Sequence, residues 1–298
     1  MELSGKVAIV TGASRGLGKI YASALAKAGA AVAVTARTEQ VDSARPAVVP
    51  TAGEMHPGRA VMVRAGALPG TIHQTVEEIT RMGGQALAIR CDITSEDEIK
   101  AMVARVLEHF GQIDILINNA GVFPRYNTLE LTPEALDLHF HVNVRGALLC
   151  CKHVLPHMIK HRSGAIVNIT TGSRNPWTQV KFGDLAPNPS TGEAVQDSVA
   201  AAGTMAYVIT KAALNRMTVN LAREMARHNI AVNALAPGLV HTEGSAAYLP
   251  ENYDWSEVPW HRATIDRLGP PLIFLAKQTA AGMSAQVLLT EDWQKTWP

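Results

Sequence analysis

Short apolar runs alternate with stretches of helical composition along this chain. Lys6–Thr11, Ala31–Thr35, Ile113–Ile117 and Gly164–Ile169 are mostly aliphatic and too short for helices, and they read as buried strands. Lys19–Ala28, the segment opening at Ser95 and Glu96–Glu98, and residues 204–227 have helical composition. Near the end, Pro271–Ala276 reads as an apolar helix and Met283–Leu289 as a strand after it. The alternation predicts an α/β fold, a single doubly wound parallel sheet with helices on both faces. No linker, repeat or low-complexity run breaks the pattern, so residues 1–298 read as one domain.

Composition narrows the classes. With 298 residues, 47% of them hydrophobic, the chain can bury a large core. A net charge of +1 provides no field for a polyanion, which disfavours nucleic acid as a partner. No apolar run reaches membrane-spanning length, and a first strand beginning by residue 6 leaves no room for a signal peptide, so the cytoplasm is expected. Cys91, Cys150 and Cys151 do not make a disulfide framework; the adjacent pair reads as small hydrophobes packed in a helix. His153, His157 and His161 follow at four-residue spacing, but the third sits two turns from the first and no carboxylate completes a set. No metal is expected, and a solvated or subunit-facing stripe is the reading preferred.

Two places carry candidate chemistry. Tyr207 and Lys211 share one face if 204–227 is helical. An ammonium about 4 Å from a phenol, at an effective dielectric of about 20, is worth on the order of 4 kcal/mol. That is roughly three pKa units, enough to bring a phenol near 7, where a general acid/base works best. A surface Tyr and Lys on an amphipathic helix would show the same spacing. The other place is Gly12-Ala13-Ser14-Arg15-Gly16-Leu17-Gly18, between the first strand and the first helix. Strand, glycine turn and helix together set backbone N–H groups and a helix N-terminus against a pyrophosphate, although a tight turn with no ligand can look alike.

These elements resemble the short-chain dehydrogenase/reductase family. The resemblance runs in order through Asn118-Asn119-Ala120-Gly121, Asn143 in His141-Val142-Asn143-Val144, the Gly164–Ile169 strand with Thr170, Thr171 and Ser173 after it, Tyr207 and Lys211, and Asn233-Ala234-Leu235-Ala236-Pro237-Gly238. It implies a Rossmann-like sheet and an oxidoreductase that moves hydride between a nicotinamide and a ketone or secondary alcohol. By that resemblance Tyr207 is the general acid/base, Lys211 holds the nicotinamide ribose and depresses the tyrosine pKa, and Asn143 carries a water in a proton relay. A hydroxyl must also hold the carbonyl in line. The family usually has Ser where this register gives Thr171, and Ser173 is the alternative. The implied cofactor contacts are Gly12, Ser14, Arg15, Gly16, Leu17, Gly18, Arg37, Asp92, Ile93, Asn119, Ala120, Gly121, Tyr207, Lys211, Pro237, Gly238, Val240 and Thr242. Asp92 could instead belong to a helix N-cap region, and Pro237-Gly238 to a plain loop-to-helix turn.

Cofactor choice turns on the end of the second strand, Ala36-Arg37-Thr38. An NAD site needs a carboxylate there for the ribose hydroxyls, and that carboxylate would repel a 2′-phosphate. Here the acidic position reads Ala36, Arg37 follows, and Arg15 is a second guanidinium, which favours NADP(H) over NAD(H). Glu39 and Asp42 could still reach a ribose, and Arg37 could be a solvated strand end.

The expected activity is therefore that of an NADPH-dependent carbonyl reductase, or an alcohol dehydrogenase in reverse, acting on a small molecule. The competing reading is a non-catalytic NADP(H)-binding regulatory protein of the same fold; such proteins usually lose Tyr or Lys, and both stand here. Three stretches exceed the family core: insertions at Thr38–Thr71 and Gly172–Gly203, and Glu243–Ala263 with Tyr248, Tyr253, Trp255 and Trp260, read as a lid over an apolar substrate. The family's last strand commonly packs across a subunit interface, implying a homo-oligomer, tetramer or dimer.

Overall fold

Each apolar run becomes a strand of one sheet. The computed structural model describes residues 1–40, 68–124, 126, 128–171, 204–246 and 263–298. Strands β1 (Val7–Thr11), β2 (Ala31–Ala36), β3 (Ala86–Arg90), β4 (Ile115–Asn118), β5 (Gly164–Ile169), β6 (Ile230–Ala236) and β7 (Val287–Leu289) lie in the order β3-β2-β1-β4-β5-β6-β7. Every neighbouring pair is parallel. Helices α1 (Gly16–Lys27), α2 (Ile72–Arg81), α3 (Glu96–Phe110), α4 (Pro133–Phe140), α5 (Ala147–His161), α6 (Met205–Met225), the single turn α7 (Glu243–Ala246) and α8 (Ile265–Ala276) connect and cover them.

Side chains two apart on a strand share a face, and both faces are buried here, which is why the strands read as unbroken apolar runs. Ala8, Val10, Val32 and Val34 pack with Tyr21 and Leu25 of α1, Ile72 and Ile79 of α2, and Leu268 and Leu272 of α8. Val7, Ile9 and Ala33 pack on the other face with Ile99 and Met102 of α3, Cys150 and Val154 of α5, and Leu221 of α6. The strand order reverses beside β1, so a crevice opens beyond the C-terminal ends of β1 and β4, where open α/β sheets bind ligands.

Several boundaries differ from the sequence-based expectation. Helix α1 begins at Gly16 instead of Lys19, so the last glycines of the loop form its first turn. Strand β7 is only three residues long. Before it, the Asn233 side chain donates to the Met283 carbonyl (2.8 Å) and accepts the Gln286 N–H (3.1 Å), and Ala285 takes a φ of +63°. The backbone of 283–286 is thus held by a side chain as well as by the ladder. Residues 41–67, 172–203 and 247–262, which include most of the two insertions and of the lid, lie outside the described residues. The end of the first insertion is ordered architecture: Thr71 caps α2 in a reciprocal box with Gln74.

The three cysteines are free and buried, and burial pushes the thiols of Cys91 and Cys151 up to about 12. A carboxylate does reach the histidine stripe: Glu96 of α3 lies 2.9 Å from His153 Nε2 and 2.8 Å from Lys152 Nζ. Among the described residues no three metal-ligating side chains gather, and no helix is long and apolar enough to cross a membrane.

Candidate active site

The glycine loop is stitched to the end of β4. Thr11 Oγ1 donates to the Ile117 carbonyl (3.2 Å) and accepts the N–H groups of Asn119 (3.0 Å) and Ala120 (3.1 Å). Asn119 Nδ2 donates to the carbonyls of Thr11 (2.9 Å) and Gly12 (3.2 Å), so this predicted cofactor contact spends its amide on shaping the loop. Gly12 has φ +67°, and a Cβ there would stand 2.7 Å from Ala120 Cα. A Cβ at Gly18 would run into the Gly12 carbonyl and the Asn119 amide. Only glycine lets the three segments meet. Ser14 is buried, and Leu17 packs partly buried on the core. The first turn of α1 has no acidic residue, and Arg15 at its N-cap makes no side-chain cap. The Gly16 N–H donates instead to Oε2 of Glu243, at 3.1 Å.

Beyond the end of β2 the Arg15 guanidinium reaches Thr38, and Arg37 is the residue before it in the chain. Arg15 donates to the carbonyls of Pro69 (2.9 Å) and Gly70 (3.1 Å) and to Thr38 Oγ1 (3.2 Å). Burial lowers its pKa, the Glu243 carboxylate opposes that, and nearby Arg37 adds to it. Arg37, half exposed, comes 3.9 Å from Asp92 Oδ2. The sequence reading saw no carboxylate at this strand end; the parallel pairing of β2 with β3 supplies one. Asp92 Oδ1 accepts from the N–H (2.9 Å) and hydroxyl (2.8 Å) of Thr94, shaping the turn before α3, while Ser95 is the N-cap. Ile93 is buried where Gly146 leaves room for it.

Helix α6 carries Tyr207 and Lys211 one turn apart. Lys211 Nζ donates to the Ile169 carbonyl of β5 at 2.8 Å and stands 5.6 Å from the centre of the Tyr207 ring. The expectation that the ammonium draws the phenol toward neutrality is not met. Burial pushes Tyr207, which keeps partial exposure, up to about 12, and pushes Lys211 down to about 8. The ammonium is committed to a carbonyl, and desolvation governs both groups. Phe123 packs edge-on against the Tyr207 ring with centroids 4.4 Å apart.

Asn143 lies in a π-helical turn, His141–Gly146, between α4 and α5. Its Oδ1 accepts the Val122 N–H (2.8 Å), and Nδ2 donates to the Val122 carbonyl and to Thr210 Oγ1 (both 3.1 Å). Its amide braces α6 against the chain after β4, leaving little capacity for the water expected there. A Cβ on Gly121 would sit 3.2 Å from Asn143 Oδ1 and 3.7 Å from Lys211 Nζ, so these three residues meet at one point. Thr171 lies partly buried just beyond β5; Ser173 lies outside the described residues.

The segment after β6 folds back onto the glycine loop. The Pro237 carbonyl accepts from Arg267 (3.2 Å), and Gly238 takes φ +76°. Val240 is buried, and its carbonyl accepts Ser245 Oγ at 2.6 Å. Thr242 and Ser245 cap each other, N–H to hydroxyl, at 2.8 and 3.1 Å. Thr11, Phe123, Thr210 and Glu243 were not singled out in the sequence. Of these only Phe123, an aromatic two residues past Gly121, and Thr11, the hydroxyl opening the loop, carry a local signal.

A family model described as short chain dehydrogenase matches residues 6–47 and 51–180, and one described as Enoyl-(Acyl carrier protein) reductase matches 192–291. The 3-oxoacyl-(acyl-carrier-protein) reductase FabG of Staphylococcus epidermidis is 29% identical over 286 residues, covering 95% of this chain and 96% of that protein. A metagenomic short-chain oxidoreductase in complex with NADP is 26% identical with a TM-score of 0.66, covering 97% of this chain and 98% of that one. A 7 alpha-hydroxysteroid dehydrogenase complexed with NADH and 7-oxo glycochenodeoxycholic acid is 26% identical with a TM-score of 0.70, covering 96% and 93%.

Proposed function

Because the chain belongs to the short-chain dehydrogenase/reductase family of NAD(P)-dependent oxidoreductases, we propose that it is an NADPH-dependent carbonyl reductase with Tyr207 as proton donor. The observation that carries this reading is the convergence of Lys211, Asn143 and Gly121, with Tyr207 one turn along α6, beside the loop held by Ala120. The loop suits a dinucleotide: its glycines let it close tightly on the end of β4 beside the start of α1, and the Gly16 N–H already takes an anionic oxygen. When bound, NADPH supplies the hydride. Gly12, Gly16, Leu17 and Gly18 would face the pyrophosphate, and Arg15 and Arg37 the 2′-phosphate. Thr242, with Val240 behind it, would face the nicotinamide.

The protein's own residues then manage the proton. A phenol pushed up to about 12 is fully protonated at neutral pH, the form needed to donate to a carbonyl oxygen as it gains charge. Lys211, anchored to Ile169, holds its ammonium under that ring, and Asn143 positions α6 through Thr210. Thr171 at the mouth of β5 orients the carbonyl. Phe123 gives the site an apolar wall, which fits an apolar ketone. A small-molecule substrate and a homo-oligomeric assembly go with this reading. Its test is Tyr207→Phe: NADPH oxidation with a ketone panel should be lost while NADPH still binds by fluorescence titration. Activity retained within about tenfold would remove Tyr207 from the mechanism.

A further inference from the structure

Glu243 reaches back 227 residues to place Oε2 on the Gly16 N–H at 3.1 Å. That N–H is one of the first-turn donors of α1, which no acidic residue or side-chain cap of its own serves. The contact is built from both sides. Thr242 and Ser245 cap each other and fix the turn that carries Glu243. Gly16 takes φ +55°, a conformation that strains any other residue, and this backbone turn aims its N–H at the carboxylate. A carboxylate and a phosphate oxygen ask the same thing of a helix N-terminus, and one N–H cannot serve both fully.

We propose that Glu243 is an internal competitor for the dinucleotide pyrophosphate and thereby sets cofactor affinity. This rests on the dinucleotide reading above. Binding of the pyrophosphate displaces the carboxylate from Gly16 and frees α7 from the glycine loop. Arg15, whose guanidinium feels the Glu243 charge, then feels the pyrophosphate charge in its place, which both cofactors carry. The pyrophosphate is common to both nicotinamide cofactors, so Glu243 weakens NADPH and NADH alike, unlike Arg37.

The test is titration of the full-length wild type, Glu243→Gln and Glu243→Ala with NADPH, NADH and inorganic pyrophosphate. Both substitutions should tighten all three ligands about three- to tenfold, the alanine variant at least as much as glutamine, whose amide oxygen can still accept. In glycine-labelled protein, the free Gly16 amide proton resonance should move upfield in Glu243→Ala. Unchanged or weaker binding in both variants overturns the competition while leaving the dinucleotide reading in place if NADPH binds. A gain confined to NADPH also overturns it, since Glu243 would then oppose the 2′-phosphate. A gain for inorganic pyrophosphate without any NADPH binding keeps the competition and removes the dinucleotide reading. If the wild type binds none of the three, both fall.

Discussion

A lysine taken out of water prefers to be neutral, and Lys211, 5% exposed, is held beside a phenol that burial also keeps neutral. Its pKa falls from 10.5 to about 8, so between those values the unfolded chain binds more protons than the folded one. Stability tied to this residue therefore rises with pH from about 8 toward 10.5, and the full penalty applies below 8. Lys211→Met should stabilise the protein at pH 7 by up to about 3 kcal/mol, less the lost hydrogen bond to Ile169, while abolishing turnover. Chemical denaturation at pH 7 and pH 10 checks this, with the gap to wild type expected to close at the higher pH; a variant less stable at pH 7 would contradict it. The Tyr207–Lys211 pairing was readable from sequence because four residues bring two side chains onto one helix face. The aim of the ammonium was not, because its acceptor lies 42 residues earlier, on β5. Glu243 was unreadable for the same reason, since nothing local joins it to Gly16.

At the scale of elements, the ends of the strands decide chemistry. Arg37 follows the end of β2, and the neighbouring β3 leads into Asp92, so a guanidinium and a carboxylate share the place proposed for the ribose or its phosphate. With Arg15 beside it, the balance is cationic, and Arg37→Ala should weaken NADPH about ten- to a hundredfold with NADH little changed. Parallel titrations decide it; equal losses for both would mean that Arg37 serves the fold. β5 ends at Ile169, whose carbonyl anchors Lys211, and Thr171 follows two residues later. Thr171→Val keeps the branched shape and removes the oxygen, so kcat should fall by about one to three orders of magnitude, with NADPH affinity retained. A defect confined to Ser173→Ala would reverse the assignment. β2 and β5 were readable because both of their faces are buried, whereas β3, half-buried and ending in an exposed Arg90, was not. The π-helical turn at His141–Gly146 was not either, since no local pattern marks it, and the Val122 backbone that its Asn143 pairs with lies 21 residues earlier. The early start of α1 was hidden because glycines in a first turn look like loop.

Across the whole molecule, two apolar layers close on the sheet, and the C-terminal residues finish one of them. β7 is a short strand at the end of the sheet order, paired among the described residues with β6 alone and too small to hold itself in place. What secures it is the chain that turns back after it. Trp297, 5% exposed, donates its indole N–H to the Leu289 carbonyl at 3.1 Å and packs against Trp293 (4.8 Å between ring centres) and Phe274 of α8 (6.0 Å). The same layer contains Leu268, Leu272 and Leu275 of α8 and runs on to Tyr21 and Leu25 of α1, which carries the Gly16 donor at its start. Nothing local in the sequence marks this packing, because Phe274 meets Trp293 and Trp297 only in the folded chain. Trp297→Ala should therefore cost about 3–5 kcal/mol, a loss of roughly 5–8 °C in Tm at this chain length. Trp297→Phe keeps an aromatic ring but loses the hydrogen bond and part of the indole packing, for about 1–3 kcal/mol. The crevice beyond β1 and β4 lies at the centre of the sheet, three strands from β7, so NADPH affinity at 20 °C should be retained in both variants. Thermal unfolding read together with NADPH titration separates the outcomes. An unchanged Tm for Trp297→Ala would show that the tail is not part of the core, and a matching loss of NADPH affinity would show that α8 transmits its packing to the glycine loop.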